Sequence, residues 1–331
     1  MSLPIAKGGS NMDNSIIIKY LKGLLNHYKL STATALAELL GNISHDSLTG
    51  LLHKDWKPEN ILYMAISLLL LLKGGFIIID DTLLPKSALK DCNFVKKLYS
   101  GKYKTQIYGV SVVVVIWTDG YWRIPLGLKM WSKGGKPKPE LALELLSEIR
   151  NKMKLKPEFV LFDCAYAKGN LLKRLADYGW YFVCGLASNR HFKGEGIKKY
   201  KNKLNWYSKG LIWNNQKVLA VRSKGKFFIS NRLSLTAKEL LKLYSYRVKI
   251  EEYFKVFKQE CGVGCQVQCI KAYTKHLYLC MVNFIQLEDL RDRYNMKNEP
   301  KSIYAIRKSI LSSTYVRSTP LLKRLKTLLV S

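Results

Sequence analysis

The sequence predicts an α/β protein whose central sheet mixes parallel and antiparallel strands. Residues 12–72 have helical periodicity, and the pattern changes at Gly74 to short apolar runs typical of buried strands. From residue 158 onward strands and helices alternate, which is typical of parallel strands joined by crossover helices. Because a β-hairpin lies between these two parts, we expect one sheet of mixed direction.

The first region, residues 1–73, is predicted to be helical. The stretch STATALAELLGNISHDSLTGLLHK (31–54) predicts one helix that ends near Gly41 and a second helix capped by Ser44. Ala37 and Gly41 are small where a helix-turn-helix requires small residues, so the second helix is a candidate to enter a DNA major groove. An ordinary helical hairpin has the same pattern, and both interpretations remain open.

The predicted core begins after this helical region and extends to residue 189. A strand lies in GGFIIIDDTLL, and a hairpin turns at TDG (118–120). In chain order we expect a strand over 74–84, hairpin strands over 110–117 and 121–131, a helix over 140–153, a strand over 158–166, a helix over 168–179 and a strand over 180–187.

Residues 190–234 interrupt this alternation with short basic strand segments, among them KVLAVRS and KFFIS. We interpret this region as a β-rich insertion. The core resumes over 235–295, with one helix that begins near Thr236 and a second helix over 270–294. Residues 296–331 form a basic tail with helical periodicity.

The charge of the chain is strongly unbalanced. Its 331 residues include 55 Lys and Arg against 24 Asp and Glu, a formal net charge of +31. Such an excess favours a polyanionic partner, nucleic acid before an anionic membrane. Residues 189–260 hold 18 Lys and Arg and 5 Asp and Glu, so much of the positive excess lies in the insertion and the helix that follows it.

Membrane insertion, secretion and zinc binding are not indicated. The longest apolar run, ILYMAISLLLLL (61–72), is shorter than the roughly 20 residues that span a bilayer. The N-terminal stretch lacks the apolar core of a signal peptide, and Met12 is a candidate for the natural start. Of the seven cysteines, those at 261, 265 and 269 recur every four residues without the CxxC spacing or histidine partners of a zinc site. We expect a cytoplasmic protein.

Carboxylates occupy positions at the ends of buried strands. Asp80 and Asp81 follow FIII, and Asp163 follows FVLF. An acidic residue in such a position costs free energy unless it is paired or binds a cation. With Glu251 these residues make a set of oxygen ligands able to hold two Mg²⁺ or Mn²⁺ ions for in-line phosphoryl transfer. Capping of a turn by Asp81 and of a helix by Asp163 are the alternatives.

The stretch YSYRVKIEEYFKVFK (244–258) supplies that glutamate. At about 100° per residue, Tyr244, Arg247, Glu251 and Lys258 fall on one arc of a helix, opposite a face of aromatic and aliphatic side chains. A carboxylate aligned between cations and a phenol suits a metal-bound phosphate. A solvated basic stripe is the alternative.

The same stretch resembles a family signature. The spacing Tyr244-x2-Arg247-x3-Glu251-x6-Lys258 is similar to the Y-(2)-R-(3)-E-(6)-K signature of bacterial insertion-sequence transposases, the insertion sequence four family with an RNase H-like DDE core. IDDT (79–82) resembles the first-aspartate block of that family. FDCAYA (162–167) resembles its second block, Asp-x-x-Tyr. The resemblance covers roughly residues 74–290.

The resemblance implies a fold and a domain division. The fold is an RNase H-like mixed-sheet catalytic core interrupted by a β-rich insertion, with helical N- and C-terminal regions. The division is a DNA-end-binding helical region over 1–73, a core in two parts over 74–189 and 235–295, the insertion over 190–234, and the basic tail over 296–331.

The resemblance also implies a role for each matched residue. Asp80, Asp163 and Glu251 look like the catalytic, metal-binding triad, with Asp81 as the alternative to Asp80. The D-x-T spacing favours Asp80, and strand alternation allows only one of the two to face the metals. Further DNA-binding candidates are Tyr244, Arg247, Lys258, Lys86, Arg190, Trp206 and Trp213. Either tryptophan is a candidate to stack on a displaced base, with a core or hairpin role as the alternative.

The function that follows is cut-and-paste DNA transposition. Metal-activated water would hydrolyse a strand at each transposon end, a hairpin would form, and strand transfer into target DNA would follow. The expected partners are double-stranded DNA, both inverted-repeat ends and target, and a second copy of the chain, because two ends must be paired. The alternatives are an RNase H-like nuclease or resolvase, and a DNA-binding protein derived from a transposase that no longer catalyses. The expected location is bacterial, cytoplasmic and nucleoid-associated.

Overall fold

The computed structural model describes residues 14–27, 31–69, 72–101, 103–187, 191–192, 195–196, 206–213, 216–313 and 315–330. The described helices, in chain order, are α1 (Asn14–Asn26), α2 (Ala33–Leu40), α3 (His45–His53), α4 (Pro58–Ser67), α5 (Lys138–Met153), α6 (Gly169–Asp177), α7 (Ala237–Ser245), α8 (Val248–Glu260), α9 (Ile270–Met296), α10 (Ile303–Leu311) and α11 (Pro320–Val330). The described strands are β1 (Phe76–Pro85), β2 (Lys96–Ser100), β3 (Thr105–Thr118), β4 (Ile124–Trp131), β5 (Phe159–Phe162), β6 (Tyr181–Leu186), β7 (His191–Phe192), β8 (Glu195–Gly196), β9 (Trp206–Trp213), β10 (Gln216–Ser223) and β11 (Lys226–Ser230).

One sheet of mixed direction organises the molecule. Its order is β2-β3-β1-β5-β6-β11-β10-β9, and β4 also pairs with β3. β1 runs parallel to β5 and antiparallel to β3, and β5 runs parallel to β6. The predicted mixed α/β fold, with helices at both ends of the chain, is therefore confirmed.

The centre of the sheet is buried because its strands are apolar on both faces. Ile77, Ile78 and Ile79 of β1 have no exposed surface, and neither do Val160, Leu161 and Phe162 of β5. Strands covered on both sides read as continuous hydrophobic runs rather than as an alternating pattern. This is why β1 and β5 could be predicted from the sequence.

Three strands of the region assigned to the insertion continue the core sheet. β11 pairs antiparallel with β6, from Phe227 opposite Leu186 to Ser230 opposite Val183. β10 pairs with β11, and β9 with β10. The edge of the core sheet at β6 is thus covered by the chain that follows it.

The N-terminal helices pack on α9 and on the C-terminal helices. The Arg307 guanidinium of α10 is buried and donates hydrogen bonds to the backbone carbonyls of Leu24, at 3.0 Å, and His27, at 2.6 Å. The Tyr20 hydroxyl of α1 lies 2.8 Å from Nδ1 of His276 in α9. Residues 14–67 therefore share their core with the rest of the chain.

The predicted α2–turn–α3 hairpin is present. Gly41 ends α2 in the left-handed conformation, with φ of 67°, and the Ser44 side chain accepts a hydrogen bond from the Ser47 backbone N–H at the start of α3. Only glycine adopts this φ without steric cost. No helix among the described residues is long and apolar enough to cross a bilayer.

Candidate active site

Strand register brings the first two carboxylates together. Ile79 of β1 is the parallel partner of Phe162, the last residue of β5, so the next residues in register are Asp80, within β1, and Asp163, directly after β5. Residues in register on neighbouring strands present their side chains to the same face. Asp80 and Asp163 therefore lie side by side on one face, where β5 ends and β1 continues to Pro85.

The electrostatics of Asp80 reflect this position. Burial raises its pKa to about 6, and the neighbouring Asp163 carboxylate acts in the same direction. The Arg247 guanidinium and a hydrogen bond from the Asp81 backbone N–H oppose the rise. The ionised Asp80 carboxylate thus requires a cation beside it.

Arg247 provides that cation and links Asp80 to the glutamate. Its Nη1 lies 2.7 Å from Oδ2 of Asp80, and its Nη2 lies 3.3 Å from Oε1 of Glu251. The Glu251 side chain is 58% exposed, whereas that of Asp80 is 17% exposed. One guanidinium therefore bridges a partly buried carboxylate on β1 and an exposed carboxylate on α8.

The stretch 244–258 is not one continuous helix, as the helical arc assumed. α7 ends at Ser245 and α8 begins at Val248. Between them the backbone N–H groups of Tyr246 and Arg247 bond three residues back, to Leu243 and Tyr244. This tight turn keeps the Tyr244 hydroxyl in hydrogen-bonding contact with Arg247, and burial raises the pKa of Tyr244.

Asp81 lies on the opposite face of β1 and has its own partners. Its Oδ1 accepts a hydrogen bond from the Tyr166 hydroxyl at 3.0 Å, and its Oδ2 pairs with the Lys138 ammonium at the start of α5. Oδ2 also lies 3.4 Å from the Ser111 hydroxyl. Of the two adjacent aspartates, Asp80 is the one that shares a face with Asp163.

The three carboxylates do not converge on one point. Among the described residues, no three His, Cys, Asp or Glu side chains are grouped so as to hold a metal ion. Arg247 stands between Asp80 and Glu251 and takes up their charge. Lys258, seven residues beyond Glu251, lies on the exposed side of α8, about 10 Å further along the helix.

Lys86, a DNA-binding candidate from the sequence, has a buried side chain. Lys86 is 6% exposed, and its ammonium donates a hydrogen bond to the Cys265 carbonyl at 2.6 Å. The ammonium also lies 4.2 Å from the centre of the Tyr273 ring. Because an interior cation cannot reach a phosphate without leaving these contacts, DNA contact through Lys86 would require both contacts to break.

Of the three DNA-binding candidates in the insertion, the structure describes the side chain of one, Trp213. Trp213 is 5% exposed at the end of β9, so its ring packs in the core and cannot stack on a base from this position. Its core alternative is the one that the structure favours. Trp206 begins β9, but its side chain lies outside the described residues, and so does Arg190.

A charge network behind α8 was not predicted. Glu288 of α9 is fully buried and pairs with Arg123, at 2.5 Å, and Arg291, at 2.6 Å. Arg123 also lies 3.5 Å from Glu252, the neighbour of Glu251. No sequence spacing indicated this network, because Arg123 lies 165 residues before Glu288 and 129 residues before Glu252 in the chain.

The chain is similar in sequence and in fold to known transposases. A family model described as a transposase DDE domain matches residues 72–282. Among solved structures, a cryo-EM piggyBac transposase synaptic complex with hairpin DNA is similar, with a TM-score of 0.53 at 14% identity over 97% of this chain and 76% of that chain. The Mos1 transposase paired-end complex with the left transposon end gives a TM-score of 0.20 at 16% identity over 50% of this chain and 57% of that chain. No match was found among curated proteins.

Proposed function

This chain belongs to the transposase DDE domain family, and from that premise we propose that it excises a DNA element and reinserts it by a cut-and-paste reaction. As a DDE transposase it is an enzyme that cleaves DNA. The finer assignments, namely the residues, the metals and the order of the strand reactions, form the proposal.

The position of Arg247 carries the proposal. Its guanidinium is a cation held 2.7 Å from Asp80 and 3.3 Å from Glu251, and Asp80 stands beside Asp163 through strand register. The guanidinium lies where the metal cations of a catalytic site would bind, beside Asp80 and Glu251. The donor set, two carboxylates on neighbouring strands and a third on α8, consists of the oxygen ligands that Mg²⁺ and Mn²⁺ prefer.

Asp80, Asp163 and Glu251 would hold two such ions, and Asp81 would not, because it faces Tyr166 and Lys138. When bound, a pair of divalent ions supplies an activated water and stabilises the leaving oxygen in phosphoryl transfer. Arg247 would have to leave the two carboxylates for them to serve as ligands. Divalent metal use is general among DDE transposases.

The remaining residues of the signature would bind the DNA. Arg247, once it leaves Asp80, would neutralise a phosphate of the transposon end, and Lys258 a second phosphate further along α8. The Tyr244 hydroxyl, which hydrogen-bonds Arg247, would orient the guanidinium in both positions.

The overall reaction would proceed at one site. Hydrolysis of one strand at each end would free a 3′-hydroxyl, which would attack the opposite strand to form a hairpin and release the flanking DNA. A second hydrolysis would open the hairpin and regenerate the 3′-hydroxyl, which would then attack the target duplex in strand transfer. Two copies of the chain would pair the two ends.

Each region of the chain would have its own part in this reaction. Residues 1–73 would recognise the transposon end, the two-part core would cut it, and the insertion and the tail would add DNA contacts. The enzyme would work in the bacterial cytoplasm, where the chromosome is.

Cleavage of an end duplex tests the proposal. The probe is a labelled duplex of the terminal repeat and its flank, read from the DNA beside the gene, incubated with the full chain and Mg²⁺. Asp80→Ala, Asp163→Ala and Glu251→Ala should each abolish cleavage while leaving duplex binding largely intact. Asp177→Ala, an exposed carboxylate at the end of α6, is the matched control and should cleave like wild type.

Two outcomes would contradict it. Full activity in all three single variants would exclude the carboxylate site. Specific binding by wild type without any cleavage, under Mg²⁺ or Mn²⁺, would favour the non-catalytic DNA-binding alternative, and cleavage of branched DNA without a terminal repeat would favour a resolvase.

A further inference from the structure

One face of the catalytic sheet continues without interruption onto the β2–β3 hairpin. Asp80 pairs with Val114 of β3, so the two side chains share a face. Alternation along β3 places Tyr108 and Gln106 on that same face, and their partners on β2 are Lys97 and Tyr99. No register shift occurs in either pairing. The face that bears Asp80 therefore also bears these four residues.

On the hairpin, the residues of this face are exposed to solvent. Lys97, Tyr99, Gln106 and Tyr108 are all exposed, with Tyr99 at 67% and Tyr108 at 38%. On the opposite face of the same hairpin, Leu98 and Ile107 are half-buried and Ser100 is buried. Exposed tyrosines on one side only indicate a surface that is selected for contact rather than for packing.

The hairpin is also purely basic. Residues 94–108 contain four lysines and three tyrosines and no Asp or Glu. At the turn, Lys104 is exposed and Tyr103 is 53% exposed. Lysines neutralise phosphates, and tyrosine hydroxyls donate hydrogen bonds to phosphate oxygens. The charge of this surface is complementary to a nucleic-acid backbone.

The base of the hairpin is joined to the N-terminal helices through Lys86. The Lys86 backbone N–H donates to the Tyr108 carbonyl at 2.9 Å, and its ammonium binds the Cys265 carbonyl. One residue before Cys265, the Gly264 carbonyl accepts a hydrogen bond from the Ser31 backbone N–H at 2.8 Å, just ahead of α2. A short series of hydrogen bonds thus connects the base of the hairpin to the residue that precedes α2.

From this geometry we propose that the exposed face of the β2–β3 hairpin binds the phosphate backbone of the terminal-repeat duplex, on the element side of the cut. This inference rests on the proposed function, which places the scissile phosphate at Asp80 and the terminal repeat at α2–α3. A two-stranded ribbon with one free face matches the width of a DNA major groove. The hairpin adds affinity and no chemistry.

The distance from the cut is fixed by the strand. At about 3.4 Å per residue, Tyr108 lies about 20 Å along β3 from Val114, and Gln106 about 27 Å. Duplex DNA rises about 3.4 Å per base pair, so the contacts fall about 6 to 8 base pairs from the scissile phosphate. A duplex that stops short of this length cannot reach the hairpin.

The experiment compares Lys97→Ala with Lys96→Ala on duplexes of different length. Lys96 and Lys97 are adjacent, both exposed, and on opposite faces of β2, so Lys96 is a matched control for charge. Affinity is measured as a function of salt on three duplexes. One reaches about 15 base pairs into the element, one reaches about 4, and the third reaches about 4 into the element and about 15 into the flank.

On the long element duplex, Lys97→Ala should reduce the slope of log affinity against log salt by about 0.9 and lower the affinity several-fold. Tyr99→Ala should weaken binding several-fold with little change of slope. Lys96→Ala should resemble wild type throughout. On the two duplexes with short element arms, all variants should bind alike.

The failures are distinguishable. Identical slopes for Lys97→Ala and Lys96→Ala on the long element duplex, with wild type binding and cutting it, would overturn the hairpin surface alone. A loss confined to the flank-extended duplex would overturn the assignment to the element side. If wild type neither binds nor cuts its terminal repeat, the proposed function itself fails.

Discussion

The Tyr166 hydroxyl donates its hydrogen bond to Asp81, and not to Asp80, the residue that precedes Asp81 in the chain. Tyr166 is the tyrosine of the Asp-x-x-Tyr block, and Asp81 belongs to the block around β1. The bond therefore ties the loop that carries Asp163 to the strand that carries Asp80, from the face of the sheet opposite the two carboxylates. We therefore expect Asp81 to position the two carboxylates rather than to bind metal.

The two adjacent aspartates should differ sharply on substitution. Asp80→Asn should abolish cleavage of an end duplex, whereas Asp81→Asn and Tyr166→Phe should each retain activity within about tenfold, because loss of one hydrogen bond costs about 0.5–1.5 kcal/mol. Single-turnover cleavage rates at saturating Mg²⁺ measure the difference. An inactive Asp81→Asn beside a normally active Asp80→Asn would reverse the assignment.

Arg247 should compete with divalent metal when DNA is absent. Removing a cation that lies 2.7 Å from Asp80 frees both that carboxylate and Glu251. Arg247→Ala should therefore bind Mn²⁺ about tenfold more tightly than wild type, or roughly 1.4 kcal/mol, in paramagnetic-resonance titrations of the DNA-free chain at pH 8. Lys249→Ala, whose lysine pairs with Glu252 on the same helix, is the control and should bind like wild type. Weaker Mn²⁺ binding by Arg247→Ala would show that the guanidinium supports the carboxylates as ligands.

The cations of α8 should each account for about one phosphate. Arg247→Ala and Lys258→Ala should each reduce the salt slope of end-duplex binding by about 0.9 and weaken binding with little dependence on base sequence. Glu251→Gln should leave the slope nearly unchanged. Titrations from low to moderate salt separate these cases, and unchanged slopes for both cations would return this helix face to a solvated charged stripe.

Asp80 should make the stability of the metal-free protein depend on pH. Its pKa is about 6 when folded and ordinarily about 3.9 in an unfolded chain, so the folded state holds its proton more tightly. The contribution to stability is therefore complete below about pH 4, falls as the pH rises, and is lost above about pH 6. Asp80→Asn lacks this titration, so its free energy of unfolding relative to wild type should increase over that window by about 1–3 kcal/mol.

Urea denaturation in EDTA at several pH values between 4 and 8 measures this difference. Asp177→Asn, on the exposed surface, is the control for the loss of one carboxylate. An Asp80→Asn difference that is flat over this range would mean that Arg247 compensates the burial of Asp80 completely.

The buried centre of the fold was predictable, and its borders were less so. β1 and β5 end within a few residues of the apolar runs that predicted them, since continuous burial requires continuous hydrophobicity. β2 was missed because KKLYS has one fully exposed face and no apolar alternation. The predicted strand over 110–117 begins instead at Thr105, because β2 supplies a partner for its polar first residues.

The residues of the site were predictable where they belong to a motif of fixed spacing in the sequence. Asp80, Asp163 and Arg247 are brought together by strand register and by a turn of fixed length. The break between α7 and α8 was not visible because YSYRV contains neither Gly nor Pro. The burial of Lys86 was not predictable either, since its partners are the backbone carbonyl of Cys265, 179 residues away, and the still more distant ring of Tyr273.

The pairing of β11 with β6 has a mechanical consequence. A hydrogen-bonded sheet is stiff within its own plane, and β6 also pairs with β5, the strand that leads to Asp163. Any force that DNA exerted on β9, β10 or β11 would therefore be transmitted through backbone hydrogen bonds to β5. A nucleotide bound to β9, β10 or β11 would therefore lie at a constant distance from the cut in every round of the reaction.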